Sequence, residues 1–253
     1  MSHSDASAPS PAPLDALAWH ALGSTHAHLA RPDPGGGDVA RAYDAEVTAF
    51  AGLRDGSEAA WKVLAGLLAP AEVVILSGRG PFDPPPGWIV EGGAHGDQMV
   101  LERFEDVPEA APVEIVNLGE HDVPQMLDLV RRTEPGPFRR RTIEMGDYYG
   151  VFTRGRLVAM AGERLQTPDY AEISAVCTDP AARGRGLAAA LTRHVAAAMV
   201  NRGQTPLLHV EEHNDVARRV YERLGFRTRV RVPFVAVRAP NTGQPDGQPA
   251  ARL

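Results

Sequence analysis

Apolar positions are spaced most regularly between residues 113 and 238. Leu187, Leu191, Val195 and Met199 recur every four residues. That spacing predicts a helix from about Gly186 to Arg202, stopped by Gly203. Val123, Met126, Leu127 and Val130 form a second such face behind Asp122, a capping residue with Gln125 three positions on. Glu134-Pro135-Gly136-Pro137-Phe138 must end that helix, because proline lacks the N–H donor a helix needs. A third helix is predicted behind the cap Asn214, with Val216, Val220 and Leu224 as its core face and Gly225 as its end. Strands are predicted at Val113–Asn117, Tyr148–Thr153, Arg156–Leu165, Ala171–Cys177, Pro206–Val210 and Phe226–Val237. Arg154-Gly155 joins the second and third of these as a hairpin turn. The fold class is therefore α/β, helices flanking a mixed, mostly antiparallel sheet.

The first half is patterned less clearly. Leu14–Leu22 and Ser57–Leu68 read as helices, the latter capped by Ser57 with Trp61, Leu64 and Leu68 at helical spacing. Glu72–Leu76 reads as a strand, the Pro/Gly-rich residues 78–87 as a loop, and Trp88–Glu91 and Gln98–Glu102 as two short strands. Ala110-Ala111-Pro112 is the expected boundary between an α/β region at 14–110 and a second domain at 113–238. Residues 1–13 and 239–253 are rich in Ser, Ala, Pro, Gly and Gln and are expected to be unordered.

Charge and composition narrow the function. A net charge of −6 offers no attraction to a nucleic acid. The single cysteine, Cys177, cannot form an internal disulfide and fits a reducing compartment. The start has neither the basic nor the apolar region of a secretory signal. The longest apolar stretch, Leu187–Val200, is broken by Thr192, Arg193 and His194 and is too short and polar for a bilayer. A cytoplasmic location is expected.

The chemistry concentrates at Arg183-Gly184-Arg185-Gly186-Leu187-Ala188. This turn follows a strand and opens a helix, so its N–H groups and the helix dipole would face an anion, with two arginines beside them. A Walker loop is excluded, because Leu187-Ala188 stands where Lys-Ser/Thr is needed. Gly184-x-Gly186-x-x-Ala189 fits a dinucleotide fingerprint, with Glu211 or Glu212 as a ribose ligand. Against it, the link from strand to glycine is too long, and too few strands follow to complete a doubly wound sheet.

A third reading is coenzyme A. Arg183-x-x-Gly186-x-Ala188, Asn214, and Tyr221-Glu222-Arg223-Leu224-Gly225-Phe226 resemble, in order and spacing, the signature of the Gcn5-related N-acetyltransferases. Glu172-Ile173-Ser174-Ala175-Val176-Cys177-Thr178-Asp179-Pro180 is similar to the FR47-like branch, as are Pro135–Phe138 and Met160–Glu163. The resemblance covers about Val113–Val237. It implies an acetyl-CoA-dependent transferase that acylates a primary amine by direct attack, with residues 14–110 as a degenerate copy of the fold.

The resemblance also implies roles. Gly184, Arg185, Gly186, Leu187 and Ala188, with Arg183, would bind the pyrophosphate. Val176 and Thr178 would pair with the pantetheine arm, which Asn214 would also contact. Glu172 would serve as base, with Glu163, Glu211 and Glu212 in reserve, and Tyr221 as the acid for the leaving thiolate. Each has a plainer reading: an ordinary helix start, normal sheet pairing, a helix cap, a solvated strand glutamate, a tyrosine covering a seam. Arg139-Arg140-Arg141 would either draw in an anionic acceptor or form a wet surface. His209-x-x-x-His213 lies at a strand end, where two side chains do not converge, so no metal is expected. Cys177 reads as a small buried residue. A non-catalytic acyl-CoA sensor is the alternative class, and a functional site within residues 14–110 is a third. Acceptor, acyl length and oligomeric state stay open.

Overall fold

A computed structural model of the chain describes residues 11–33, 35, 38–105 and 113–241. The expected boundary at 110–112 and most of both chain ends lie outside these residues. Among these residues ten strands form one sheet, ordered β1-β2-β3-β10-β4-β9-β8-β7-β6-β5. In chain order they are β1 (Ala40–Ala42), β2 (Phe50–Leu53), β3 (Val73–Ser77), β4 (Ile89–Leu101), β5 (Val116–Leu118), β6 (Tyr148–Thr153), β7 (Arg156–Gln166), β8 (Tyr170–Thr178), β9 (Thr205–Glu211) and β10 (Phe226–Arg238). The helices are α1 (Leu17–Leu22), α2 (Glu58–Leu67), α3 (Val123–Thr133), α4 (Leu187–Asn201) and α5 (Asp215–Leu224). Among the described residues only β2–β3 and β8–β9 pair in parallel, and each pair is joined through a helix, α2 or α4.

The two halves share this sheet, because β10 pairs with β3 on one side and β4 on the other. Alternation on β7 sends Ala159 and Ala161 into the core under α4 and Met160 into the core under α3. Thus α4 and α5 cover one face, and α3 and α1 cover the other. The four predicted core residues of α4 are all buried. Ser57 caps α2 by accepting a hydrogen bond from the Ala60 N–H, as its sequence position predicts.

Several expectations need correction. The two short strands around residues 88–102 are one strand, β4, because glycines at 92, 93 and 96 let it bend without breaking its pairing to β10. β1 and β2 are too short to show a pattern and escaped notice. Asp122 precedes α3 but does not cap it with its side chain; its carboxylate instead accepts from the Gly119 N–H. Val216 is 69% exposed, while Tyr221 and Leu224 are buried. The core stripe of α5 therefore runs Ala217, Val220, Tyr221 and Leu224: Val220 and Leu224 stand as predicted, and Ala217 and Tyr221 flank them where Val216 was expected. Ala239 is buried, and its N–H donates to the Glu72 carbonyl, so the last strand's order extends into the expected tail.

The first half is anchored by close packing of α1 on β2. A Cβ at Gly52 would lie 2.3 Å from the Trp19 backbone nitrogen and 2.5 Å from its Cα. Gly52→Ala should lower stability by about 1–3 kcal/mol, read as a lower urea midpoint at unchanged slope; an unchanged midpoint would contradict this packing.

Candidate functional site

The pairing of β8 with β9 is incomplete. Register runs from Tyr170↔Thr205 to Ile173↔Leu208 and stops there, although β8 continues to Thr178 and β9 to Glu211. The cause is visible on the other edge of β8. Met160 pairs with Cys177 and Gly162 with Ser174, so Ala175 and Val176 together oppose Ala161. This is a β-bulge, and Ala175 adopts φ +52°, a left-handed conformation rare for a residue with a Cβ. The bulge bends β8 away from β9 and opens a cleft of about 700 Å³.

Val176, Thr178, Arg183, Gly184, Gly186, Leu187, Ala188, Asn214 and Tyr221 all line this cleft. Arg185 is exposed and does not line it. Gly184 and Gly186 have φ of +77° and +74°, which glycine adopts without the strain a Cβ would bring. Gly186 occupies the N-cap position of α4 and supplies no capping side chain. By contrast, Ser57 caps α2 and Asn214 caps α5, its side chain accepting from the Ala217 N–H at 3.1 Å. The first-turn N–H groups of α4 are thus left for an external acceptor. The buried Thr178 hydroxyl, also without a hydrogen-bond partner, faces the same need. These donors suit an anionic, amide-rich ligand, as the pyrophosphate and pantetheine of coenzyme A would be.

The cleft passes through the sheet. Leu208 and Val210 point into the core beneath α4, so His209 between them points to the opposite face. Glu172 does likewise between Ala171 and Ile173. On that face Glu172 is 0% exposed rather than solvated. Arg164 Nε donates to its Oε2 at 3.0 Å, Arg164 Nη2 donates to Oε1, and His209 Nδ1 lies 2.7 Å from Oε1. Burial alone would raise this carboxyl, but Arg164 and then His209 outweigh it and hold Glu172 down at about 2. Arg164 and His209 line the cleft; Glu172 does not. Arg164 was not foreseen, and His209 was weighed only as half of a metal spacing that was set aside. An arginine and a histidine on neighbouring strands near Glu172 carry no sequence signature.

Tyr221 faces the cleft from α5, and burial pushes its phenol up to about 12. Cys177 is buried, and burial raises its thiol to about 11, which disfavours the thiolate a nucleophile needs. Two of the arginines after the Pro-Gly loop are engaged with the first half: Arg139 donates to the Ala45 carbonyl, and Arg141 pairs with Asp44 and Glu144. Among the described residues, no group of three or more His, Cys, Asp or Glu could hold a metal ion. Within the described residues no helix is long and apolar enough to cross a membrane. The first half contains a smaller cavity of about 290 Å³ between β2, β3, α1 and α2, lined by Trp19 and Trp61.

Residues 148–235 match the family described as FR47-like protein. A putative acetyltransferase of the GNAT family from Novosphingobium aromaticivorans has a crystal structure similar to this chain, with 42% identity and a TM-score of 0.79, covering 90% of this chain and 98% of that one. A mycothiol acetyltransferase from Mycobacterium sp. (strain JLS) is 42% identical over 77 residues, 28% of this chain and 26% of that protein. One from Mycolicibacterium vanbaalenii is 30% identical over 154 residues, 51% of each chain. The chain thus spans between a quarter and a half of the length of these curated relatives.

The Glu172 environment predicts a pH dependence. The folded value of about 2 lies below the ordinary 4.5, so the unfolded chain takes up the proton first as pH falls. The stabilisation is complete above about pH 4.5 and fades toward pH 2. The urea midpoint of wild type should fall over that window more steeply than that of Glu172→Gln. At pH 7 Glu172→Gln should be less stable by about 3–5 kcal/mol, because Arg164 is left buried without its counter-ion. Parallel pH curves for the two proteins would contradict this assignment.

Proposed function

The chain belongs to the Gcn5-related N-acetyltransferase family, and on that premise we propose that it moves an acetyl group from acetyl-CoA to the primary amine of a small molecule. The observation that carries this reading is the uncapped start of α4 beside the opened β8–β9 edge. Arg183 and the turn Gly184–Ala188 would hold the pyrophosphate, with Arg185 adding charge from outside the cleft. Val176 and Thr178 would pair with the pantetheine arm along the free edge of β8, in the manner of an added strand. Asn214 would contact the same arm while capping α5. The coenzyme supplies an activated thioester, and the relatives' name supports a small-molecule acceptor.

The chain's own groups do the rest by orientation and electrostatics. The backbone N–H of Val176 or a neighbour polarises the carbonyl oxygen, a role that needs a donor freed from the sheet. Tyr221 donates a hydrogen bond to the departing sulfur. With its phenol near 12, full proton transfer to a thiolate is uphill by about three pK units against an ordinary thiol. Tyr221 therefore steadies the leaving group more than it acidifies it. Glu172 keeps its negative charge throughout and serves as the fixed anion behind the acceptor side of the cleft.

Saturating acetyl-CoA, at about 100 times Kd, should stabilise the protein by roughly 2.7 kcal/mol and raise Tm by about 5–10 °C. NAD should not. Gly184→Glu, whose side chain would enter open space at the anion site, should abolish the shift; a shift that survives would place the coenzyme elsewhere. In acyl-transfer assays Tyr221→Phe should lower kcat roughly 10- to 100-fold, the worth of one hydrogen bond to a charged group. Cys177→Ala should keep kcat within about threefold, whereas an acyl-cysteine mechanism requires its loss.

A further inference from the structure

We infer that Arg164 selects the acceptor: its free Nη1 donates to an uncharged oxygen, a carbonyl or a hydroxyl, carried by the amine substrate. This deepens the acyl-transfer reading above and rests on it.

The coenzyme fixes the acceptor's side of the cleft. The start of α4 lies on one face of the sheet, and β8 and β9 part beyond Ile173 and Leu208. An amine that meets the thioester without displacing the coenzyme comes through that gap from the other face. Arg164 stands on the other face beside Glu172, where the strands part, and lines the cleft.

Only two of its three guanidinium nitrogens are used. Nε and Nη2 form the edge that meets the Glu172 carboxylate, so Nη1 points past it. Nη1 donates to none of the described residues, and it is not among the atoms sealed from solvent; the side chain keeps 12% of its surface exposed. Phe50 packs against the guanidinium at 4.6 Å and holds its plane. Two N–H bonds held in place at a cleft wall call for an oxygen. Neighbouring side chains do not supply it. His209 is engaged at Nδ1 by Glu172 and at Nε2 by Gln98, and the Thr133 hydroxyl donates to the Leu129 carbonyl.

Ser174 adds a second group to the seat. It pairs with Gly162, two residues before Arg164 on β7, and so faces the same side of the sheet. It is half-buried and lines the cleft, and its hydroxyl is open to it. A hydroxyl there can donate to the same oxygen or accept from it.

Charge decides which oxygen fits. The Arg164 charge is already matched by Glu172. Glu134, at the end of α3, is exposed on the cleft wall and adds a second carboxylate. An acceptor carboxylate would meet two like charges against one shared arginine, whereas a carbonyl or hydroxyl meets only the free donor. The same two carboxylates favour the acceptor's ammonium.

The test compares kcat/KM for L-alaninamide, L-alaninol, L-alanine and the apolar isostere of alaninamide in which both carboxamide heteroatoms are methyl groups. Wild type, Arg164→Lys and Ser174→Ala are assayed with each; comparing variants on one amine cancels differences in amine basicity. Wild type should prefer alaninamide and alaninol. Arg164→Lys keeps a cation for Glu172 but has no nitrogen to spare. It should lower the preference for alaninamide over the isostere roughly 10- to 100-fold, the worth of one hydrogen bond from a charged donor. Ser174→Ala should lower it roughly 2- to 10-fold, and decides the matter if Arg164→Lys does not fold. An unchanged preference in the folded variants, a wild type that favours alanine, or failure of every oxygen-bearing amine to react in a protein that binds acetyl-CoA overturns the inference. Side-chain ¹⁵N shifts of Arg164 give a readout independent of turnover. Alaninamide alone should move them and the isostere should not; equal effects, or none, overturn the assignment. Absence of acetyl-CoA binding to wild type would instead count against the acyl-transfer reading, and the ¹⁵N shifts would still decide the role of Nη1.

Discussion

Two parallel strands that stop pairing halfway constrain everything else in this molecule. Past Ile173 and Leu208 the facing edges of β8 and β9 have no ladder between them. Backbone groups left unpaired inside a protein cost about 1–3 kcal/mol each, so such an opening persists only where something else meets their need. The bulge at Ala175 and Val176 holds the strands apart, at the expense of a left-handed alanine. The same geometry delivers the start of α4 to the mouth of the gap, with its N–H groups uncapped. One local departure from sheet regularity therefore leaves an unpaired strand edge and, at its end, an uncapped helix start, which is where the proposed coenzyme would lie.

The reverse face of the slot is electrostatic. A buried glutamate is held between a partly buried arginine and a partly buried histidine, so its charge is satisfied within the protein. Burying these charges is unfavourable unless each has its partner. The first half of the chain supplies much of the cover. Phe50 on β2 lies under the Arg164 guanidinium at 4.6 Å, and the Leu14 carbonyl and Gln98 complete the network around His209. The first half also repeats the pattern of the second in reduced form. β2 and β3 pair in parallel for two residues, joined through α2, but Ser57 caps that helix. Its first turn is thus already satisfied, unlike that of α4.

Much of this was legible in the residues. Helical spacing identified α4 to within a residue at each end, and the Arg-Gly-Arg-Gly turn marked its uncapped start, because the positive φ there favours glycine and glycine has no capping side chain. The hairpin β6–β7 was announced by its Arg154-Gly155 turn. What escaped has physical reasons. β1 and β2 are three and four residues long, too short for a period to register. Alternation correctly turned Glu172 away from Ile173, yet could not say that α1 and Phe50 cover that face. It is this cover that changes a strand glutamate from a solvated base into a buried, ion-paired anion. Arg164 and His209 reach Glu172 from strands on either side of β8, and register between strands is a tertiary property. Val216 misled because the apolar stripe of α5 is short, and one position on a helix rotates the face by about 100°.

The most direct test of the account is amide hydrogen exchange with and without saturating acetyl-CoA. Added protection should concentrate on the free edge of β8 from Ser174 to Thr178 and on the turn from Gly184 to Ala188. The β2–β3 edge should stay as it was. Protection confined to residues 50–57 and 76–82, or no change at all in a protein that binds the coenzyme, would contradict the claim that the parted strands are its seat.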